Sequence, residues 1–384
     1  MAGKRSIFED VGPGATKAAA PRGGLIDAGK AGSRGAVRGW LVAIFLLVAL
    51  MIGVGGLTRL TDSGLSITEW KPVTGALPPM TETDWQTAFA KYQASPQFKL
   101  QNSQMDLAAF KSIFWWEWGH RQLGRLIGLV WAAGFGSFWL TRRIPVGWTR
   151  RLLGLGALGG LQGAVGWWMV SSGLTGSMVS VASYRLATHL GLGFAILGVT
   201  AWYILSLSRP EAALLQARRQ AEPKLYSLAT GLLHFAFLQV ILGALVAGID
   251  AGRAFPTWPL MGDSFFPADA FYVPDGGPVW RAFFENPGLV QFIHRMSGYG
   301  LFAFGVVVWL RGRASVHPAT RRVANLLALV LAGQVTLGIL TALYAAPLHL
   351  GIAHQAGAVI LWVTILTLRH RAQYPIVQSI RGSR

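Results

Sequence analysis

Eight histidines punctuate the chain, and four of them recur in a pattern that chemistry would need. His120 and His294 sit in "EWGHRQLG" and "QFIHRMSG", and His189 and His354 sit in "ATHLGLG" and "IAHQAGA". Each lies near one end of a long apolar stretch, where a polar side chain is costly and normally faces a bundle interior. Two imidazoles on facing helices are what axial ligation of a haem iron requires, one nitrogen above the plane and one below. One turn after the first three come Gly124, Gly193 and Gly298, and after His354 comes Ala358. These small residues share a face with the histidines and leave room for a flat macrocycle. Arg121 and Arg295 directly follow two of the histidines and suit charge-assisted pairing with haem propionates. The plainer readings are a histidine that only hydrogen-bonds between helices and an arginine that snorkels to headgroups. Zinc lacks its HExxH or carboxylate-rich signature here. Four histidines at equivalent positions favour haem.

Glu117 precedes His120 by three residues, and Gln291 precedes His294 by three, on the same helical face. A carboxylate takes a proton, stabilises developing positive charge or orients water, whereas an amide only hydrogen-bonds. With two haems bound, Glu117 therefore marks the reactive side and Gln291 the electron-transfer side. An ion pair of Glu117 with Arg121 is the alternative. His317 and His370 fall in basic segments and read as solvated, and His234 reads as a hydrogen bonder in the core. His349, one turn outside His354, is its competitor as a ligand.

The elements that carry these residues follow from composition. Of the 384 residues 52% are hydrophobic and only 13% charged, with 16 tryptophans, which points to lipid as solvent. The absence of cysteine excludes disulfides, thiolate metal sites and a cysteine nucleophile. A formal charge of +18 would suggest nucleic acid in a soluble protein, but the basic residues sort by loop. Apolar stretches long enough to cross a bilayer as helices cover 38–58, 120–140, 152–171, 186–207, 226–249, 289–310, 323–345 and 349–368. The segments on one side carry 23 Lys and Arg against eight on the other, which predicts both termini in the cytoplasm of a bacterial inner-membrane protein. Residues 1–36 read as a disordered basic tail, with neither a signal peptide nor, given Glu9, Asp10 and Asp27, a transit peptide. In the outer loop 59–119, "TETDWQTAFAKY" predicts a helix with Thr83 and Gln86 as capping box and Trp85, Phe89 and Tyr92 on one face. Loop 250–288, with Pro256, Pro259, Pro267, Pro274 and Pro278, reads as irregular. Long outer loops of this kind usually roof a site.

The chain repeats. A shift of 174 aligns Glu117, His120, Arg121 and Gly124 with Gln291, His294, Arg295 and Gly298, and a shift of 172 aligns Gln162 and Gly166 with Gln334 and Gly338. A shift of 188 aligns Asp62, Gly64 and Trp70 with Asp250, Gly252 and Trp258. The expected fold is an all-α integral membrane protein of eight transmembrane helices, two tandem four-helix bundles related by a pseudo-two-fold axis along the membrane normal. The halves span 37–208 and 226–370, joined by a cytoplasmic linker at 209–225 and followed by a tail at 371–384. Gly159 and Gly163 permit close helix contact, within a bundle or in a homo-oligomer.

The stretches "GGLTRLTDSGLSITEWKPVTGALPPM" and "FKSIFWWEWGHRQLGRLIGL", followed by "ATHLGLG", "FIHRMSGY" and "AHQAGA", resemble the haem A synthase family over about residues 37–370. The similarity is to the cysteine-free branch of alphaproteobacteria and mitochondria. The resemblance implies oxidation of the ring D methyl group of haem O to a formyl group, giving haem A for cytochrome oxidase. It implies haem B as cofactor in the C-terminal half, with His294 and His354 on its iron and Arg295 beside it. It implies haem O as substrate in the N-terminal half, with His120, His189 and Arg121 holding it and Glu117 near the reacting methyl. A haem O-producing prenyltransferase and oxidase assembly factors are the implied partners. The chain lacks the outer-loop cysteine pair of some bacterial members, leaving the electron route open. Two other classes compete: a di-haem b-type electron-transfer protein without substrate haem, and a duplicated transporter. The lack of an Asp-rich diphosphate-binding motif on the cytoplasmic side argues against a prenyltransferase.

Overall fold

In lipid every backbone polar group must be satisfied within its own segment, so a long apolar run folds as a helix. The computed structural model describes residues 32–174, 176 and 178–376. The tails expected at 1–36 and 371–384 fall outside the described residues over 1–31 and 377–384. In chain order the helices are α1 (Gly32–Leu60), α2 (Glu82–Gln93), α3 (Pro96–Leu100), α4 (Leu107–Leu140), α5 (Thr149–Ser172), α6 (Ser183–Leu207), α7 (Glu211–Arg218), α8 (Pro223–Gly248), α9 (Ala282–Glu285), α10 (Pro287–Arg313), α11 (Pro318–Leu343) and α12 (Leu348–Gln373). No strand forms among the described residues.

The protein is an all-α membrane protein. A long helix covers each of the eight predicted stretches, and seven of them are long and apolar enough to cross a bilayer. The other, α5, has 24 residues, but six glycines and the Trp167–Trp168 pair dilute its apolar content. The largest departure is α4, which begins at Leu107 instead of near 120. Asp106 sets that start by accepting from Ala109 N at 2.8 Å. At 34 residues α4 is about 51 Å long, well beyond a hydrocarbon core of about 30 Å. Its extra turns carry Phe110 and Phe114 into the first long loop.

Helix association in lipid rests on close packing and not on burial from water. Contacts run from α1 to α4, α4 to α5, α5 to α6 and α6 back to α1, closing a ring of four. A second ring closes through α8, α10, α11 and α12. The rings meet where α6 packs on α8 and α12 and where α1 packs on α12. Half of the most apolar window of α6 is buried and none of that of α4, so α6 is central and α4 peripheral. Glycines admit large side chains at the crossings: Trp40 lies against Gly134, Trp131 against Gly156 and Trp362 against Gly198.

Asp62 and Asp250, aligned by the repeat, each follow a long helix in the left-handed region at φ 52°. Arg59 joins them, with Nη1 at 2.8 Å from Asp62 and Nη2 at 2.8 Å from Asp250. Both long loops therefore begin at the same end of the molecule. The first has its own core, in which Trp85, Phe89 and Tyr92 of α2 pack on Phe110 and Phe114 as expected. The cap differs from the expectation. Thr81 caps α2, accepting from Asp84 N at 3.2 Å while Asp84 accepts from Thr81 N at 3.0 Å. Thr81 is extended, as an N-cap must be, whereas Thr83 already lies inside the helix. Tyr92 donates to Gln97 Oε1 at 3.0 Å and accepts from Asn102 Nδ2 at 2.7 Å. Burial pushes the pKa of its hydroxyl up.

Candidate functional site

Each of the four repeated histidines leans on a glycine of the neighbouring helix. A Cβ added to Gly55 of α1 would lie 3.1 Å from Cε1 of His120 on α4, and one on Gly243 of α8 would lie 3.0 Å from Cε1 of His294 on α10. A Cβ on Gly166 of α5 would lie 2.9 Å from Cε1 of His189 on α6, and one on Gly338 of α11 would lie 3.1 Å from Cε1 of His354 on α12. At these separations the ring seats only if the facing residue has no side chain. The histidines also pair by place: His120 on α4 and His189 on α6 belong to opposite helices of the first ring, and His294 on α10 and His354 on α12 to opposite helices of the second. All four are only partly buried as residues. Nδ1 of His120, His189 and His354 is nevertheless buried with no hydrogen-bond partner.

Three of the four are gripped through the main chain as well. Gln162 Nε2 donates to His189 O at 3.0 Å, Gln239 Nε2 to His294 O at 3.0 Å and Gln334 Nε2 to His354 O at 2.9 Å. Two of these amides also approach the ring, Gln162 at 3.3 Å from His189 Nε2 and Gln239 at 3.1 Å from His294 Nδ1. The glycines one turn on give the amides access. A Cβ on Gly193 would come 3.6 Å from Gln162 Nε2, and one on Gly298 would come 3.2 Å from Gln239 Nε2. Their space thus faces the gripping amides, where the sequence suggested space for a macrocycle. At the fourth site Gly124 faces Met51, whose Cε would lie 3.4 Å from the added Cβ.

Glu117 is buried at 3% exposure. Its Oε2 accepts from Ser66 Oγ and from Ile67 N, both at 2.8 Å, and its Oε1 accepts from Arg121 Nη2 at 2.6 Å and Nε at 3.1 Å. Arg121 goes on to donate to Ile67 O at 2.7 Å and Glu69 O at 2.8 Å. The pair therefore holds down the start of the first long loop. Glu69 is itself tied by Lys91 and Lys71, whose hydrogen bonds keep its carboxyl below the ordinary glutamate range. In the second half Gln291 Nε2 and Arg295 Nη2 both donate to Phe255 O, at 3.4 and 2.7 Å, and Arg295 Nη1 donates to Leu260 O at 3.2 Å. Both arginines are thus engaged with loop backbone.

The remaining histidines lie elsewhere. His317 is buried, its Nε2 at 3.2 Å from Gln220 O, and not solvated as expected. His370, 1% exposed, packs edge-on against Trp202 and is likewise not solvated. His234 is exposed and bonds back to Thr230 O at 2.8 Å, so it is not a core residue. His349 is exposed, while His354 occupies the glycine seat. A Cβ added at Gly159 or Gly163 would meet nothing within 4 Å, and both residues are exposed.

These features suit a haem. Among the described residues no three His, Asp or Glu converge as a protein-only metal site would require. Paired imidazoles with orphaned ring nitrogens meet the need of an iron whose other four ligands come from a porphyrin. The seats and grips were not assigned from the sequence, although the repeat contained their signal. The shift of 172 carries Gln162 and Gly166 onto Gln334 and Gly338, and the shift of 188 carries Met51 and Gly55 onto Gln239 and Gly243.

Residues 38–366 match the family described as cytochrome oxidase assembly protein. A protein of Paracoccus denitrificans (strain Pd 1222) named heme A synthase is 62% identical over 380 residues, covering 99% of each chain. One from Ruegeria sp. (strain TM1040) with the same name is 59% identical over 98% of this chain and 99% of its own. One from Cereibacter sphaeroides (strain KD131 / KCTC 12085), again so named, is 61% identical over 98% of both. With its paired histidines in place and its relatives matched end to end, the chain belongs to the haem A synthase family.

Proposed function

We propose that this chain oxidises the ring D methyl group of haem O to a formyl group, making haem A for cytochrome oxidase. The names of relatives aligned over nearly the full length support the reaction. The observation that carries its assignment to residues is the fourfold seating of histidines, two of them on opposite helices of each ring. His294 and His354 ligate a resident haem B, with Arg295 at its edge. His120 and His189 hold the substrate, with Arg121 at its edge. The bound haem supplies the redox chemistry of this four-electron oxidation, which no side chain offers. Glu117, receiving four hydrogen bonds, presents a fixed negative charge one turn from His120. There it stabilises developing positive charge or takes a proton. Arg121 and Arg295 also fix the two loops that roof the sites.

The proposed arrangement is an inner-membrane protein with α5 as an eighth span and both termini cytoplasmic, supported by the distribution of Lys and Arg. Its halves, 37–208 and 226–370, are related by a pseudo-two-fold axis along the membrane normal, with 209–225 as linker and 1–36 and 371–384 as tails. The pairing of the two helix rings supports that symmetry. A prenyltransferase would deliver haem O and oxidase assembly factors would take haem A, with a second copy able to meet the open Gly159–Gly163 face.

An optical spectrum and haem extraction of the purified protein test the reading. Haem B together with haem O or haem A is the expected content. Haem B alone would favour the electron-transfer alternative, and a colourless protein would overturn both. Replacing both His294 and His354 by Ala should abolish a low-spin b-type signal, and His234→Ala should leave it intact. Survival of the full signal in the double variant would remove these two residues from the site.

A further inference from the structure

The four histidine sites differ in one respect. Three have their main-chain carbonyl gripped by a glutamine of the neighbouring helix, at 2.9–3.0 Å. The fourth, His120, has Met51 in the equivalent place. The shift of 188 that aligns the glycine seats, Gly55 with Gly243, also aligns Met51 with Gln239. The structure puts the two side chains at the same station, Met51 Cε beside Gly124 and Gln239 Nε2 beside Gly298. A thioether has no hydrogen to donate, and no side chain bonds the His120 carbonyl among the described residues. A haem that serves as cofactor must stay, whereas one that serves as substrate must enter and leave at every turnover.

We propose that Met51 is a positioning residue that leaves His120 as the one ungripped ligand, so that the haem between His120 and His189 exchanges while the haem between His294 and His354 is retained. The inference rests on the proposed function, which makes the N-terminal pair the substrate site. Only one wall of that site is loosened, because Gln162 still holds His189. The α4 turn bearing His120 then lacks the carbonyl grip that the other three share, while Trp40 Nε1 of α1 still holds Val130 O further along α4 at 2.9 Å. Interhelical hydrogen bonds in membranes typically change an equilibrium about three- to twentyfold, which sets the expected scale.

The test uses full-length protein purified from membranes and measures haem transfer to excess apomyoglobin, with extracted haems identified by type. Met51→Gln should slow loss of haem O or haem A about three- to twentyfold while haem B retention is unchanged. Gln239→Met should speed haem B loss by a similar factor. Met51→Leu, which adds no donor, should release haem as the wild type does. Equal release of haem O and haem A from wild type and Met51→Gln would overturn the proposal, as would a change that affects both haem types alike. If Met51→Gln fails to assemble, Gln239→Met decides, and haem B retention equal to wild type overturns the proposal. A wild-type protein holding only haem B would instead overturn the functional reading beneath it.

Discussion

Glu117 and Gln291 occupy equivalent places and hold their loops with opposite polarity. The first loop presents donors, Ser66 Oγ–H and Ile67 N–H, to a carboxylate. The second presents an acceptor, Phe255 O, to an amide. The side chain and the loop are therefore matched in each half, and Glu117 has a structural role. Glu117→Gln retains the size but removes the charge that answers Arg121. If the carboxylate acts in the oxidation, membranes of this variant should accumulate haem O, or a partly oxidised alcohol, with haem A formation down about 10²–10⁴-fold. Gln291→Glu should change the haem ratio less. Extraction and chromatography of haems read both. Undiminished haem A from Glu117→Gln would leave the residue with its structural role alone.

At the scale of elements, the first roof loop is held to α4 through Arg121 and to α2 through Glu69. Lys91 and Lys71 reach the Glu69 carboxylate at 2.8 and 3.0 Å, and these bonds lower its pKa. A carboxyl whose pKa is depressed in the folded state contributes stability above its unfolded pKa and loses it as pH falls through the folded one. Amide exchange in α2 and residues 67–71 should therefore rise as the medium is acidified through the ordinary glutamate range and below. Lys91→Ala should flatten that dependence. The charges are nearly half exposed, so the effect should be small and should shrink further in high salt. An exchange profile indifferent to both acid and Lys91→Ala would mean that the aromatic cluster around Tyr92 holds the loop by itself.

For the whole molecule, the telling contact joins the two helix rings. Gln355, the residue after His354, donates from α12 to Ile52 O of α1 at 2.7 Å and lies flat on Gly56. Gly56 adjoins Gly55, the seat of His120, so one turn of α1 touches a histidine-bearing helix from each half. Arg59 adds a second tie through Asp250. Gly56→Val should drive Gln355 out of place and strain this junction, at a cost of about 1–3 kcal/mol for overpacking. The measurement is thermal unfolding in detergent, followed by tryptophan emission and by the haem spectrum. Both signals should fall together at a lower temperature, because the junction belongs to both sites. An unchanged melting temperature would show that the packing of α6 on α8 and α12 holds the rings together without this junction.

The sequence by itself determined the class of the protein and singled out the four histidines proposed as ligands. Apolar runs with few charges have only helical solutions in lipid, and four histidines recurring with their neighbours mark themselves by the repeat. Local rules read the aromatic face of α2 correctly but put its cap two residues late, because choosing between Thr81 and Thr83 depends on where the chain turns extended. They also began α4 too far along the chain, since the turns from Leu107 to about 119 are stabilised by packing on α2 and not by lipid. His317 and His370 looked solvated because charge density is a property of the segment, while burial is a property of the neighbours the fold supplies. What only the tertiary structure decided is which glycine seats which histidine, which amide grips it, and that Met51 breaks the set. Those relations join residues on different helices, and the distances that define them exist only once the helices have packed.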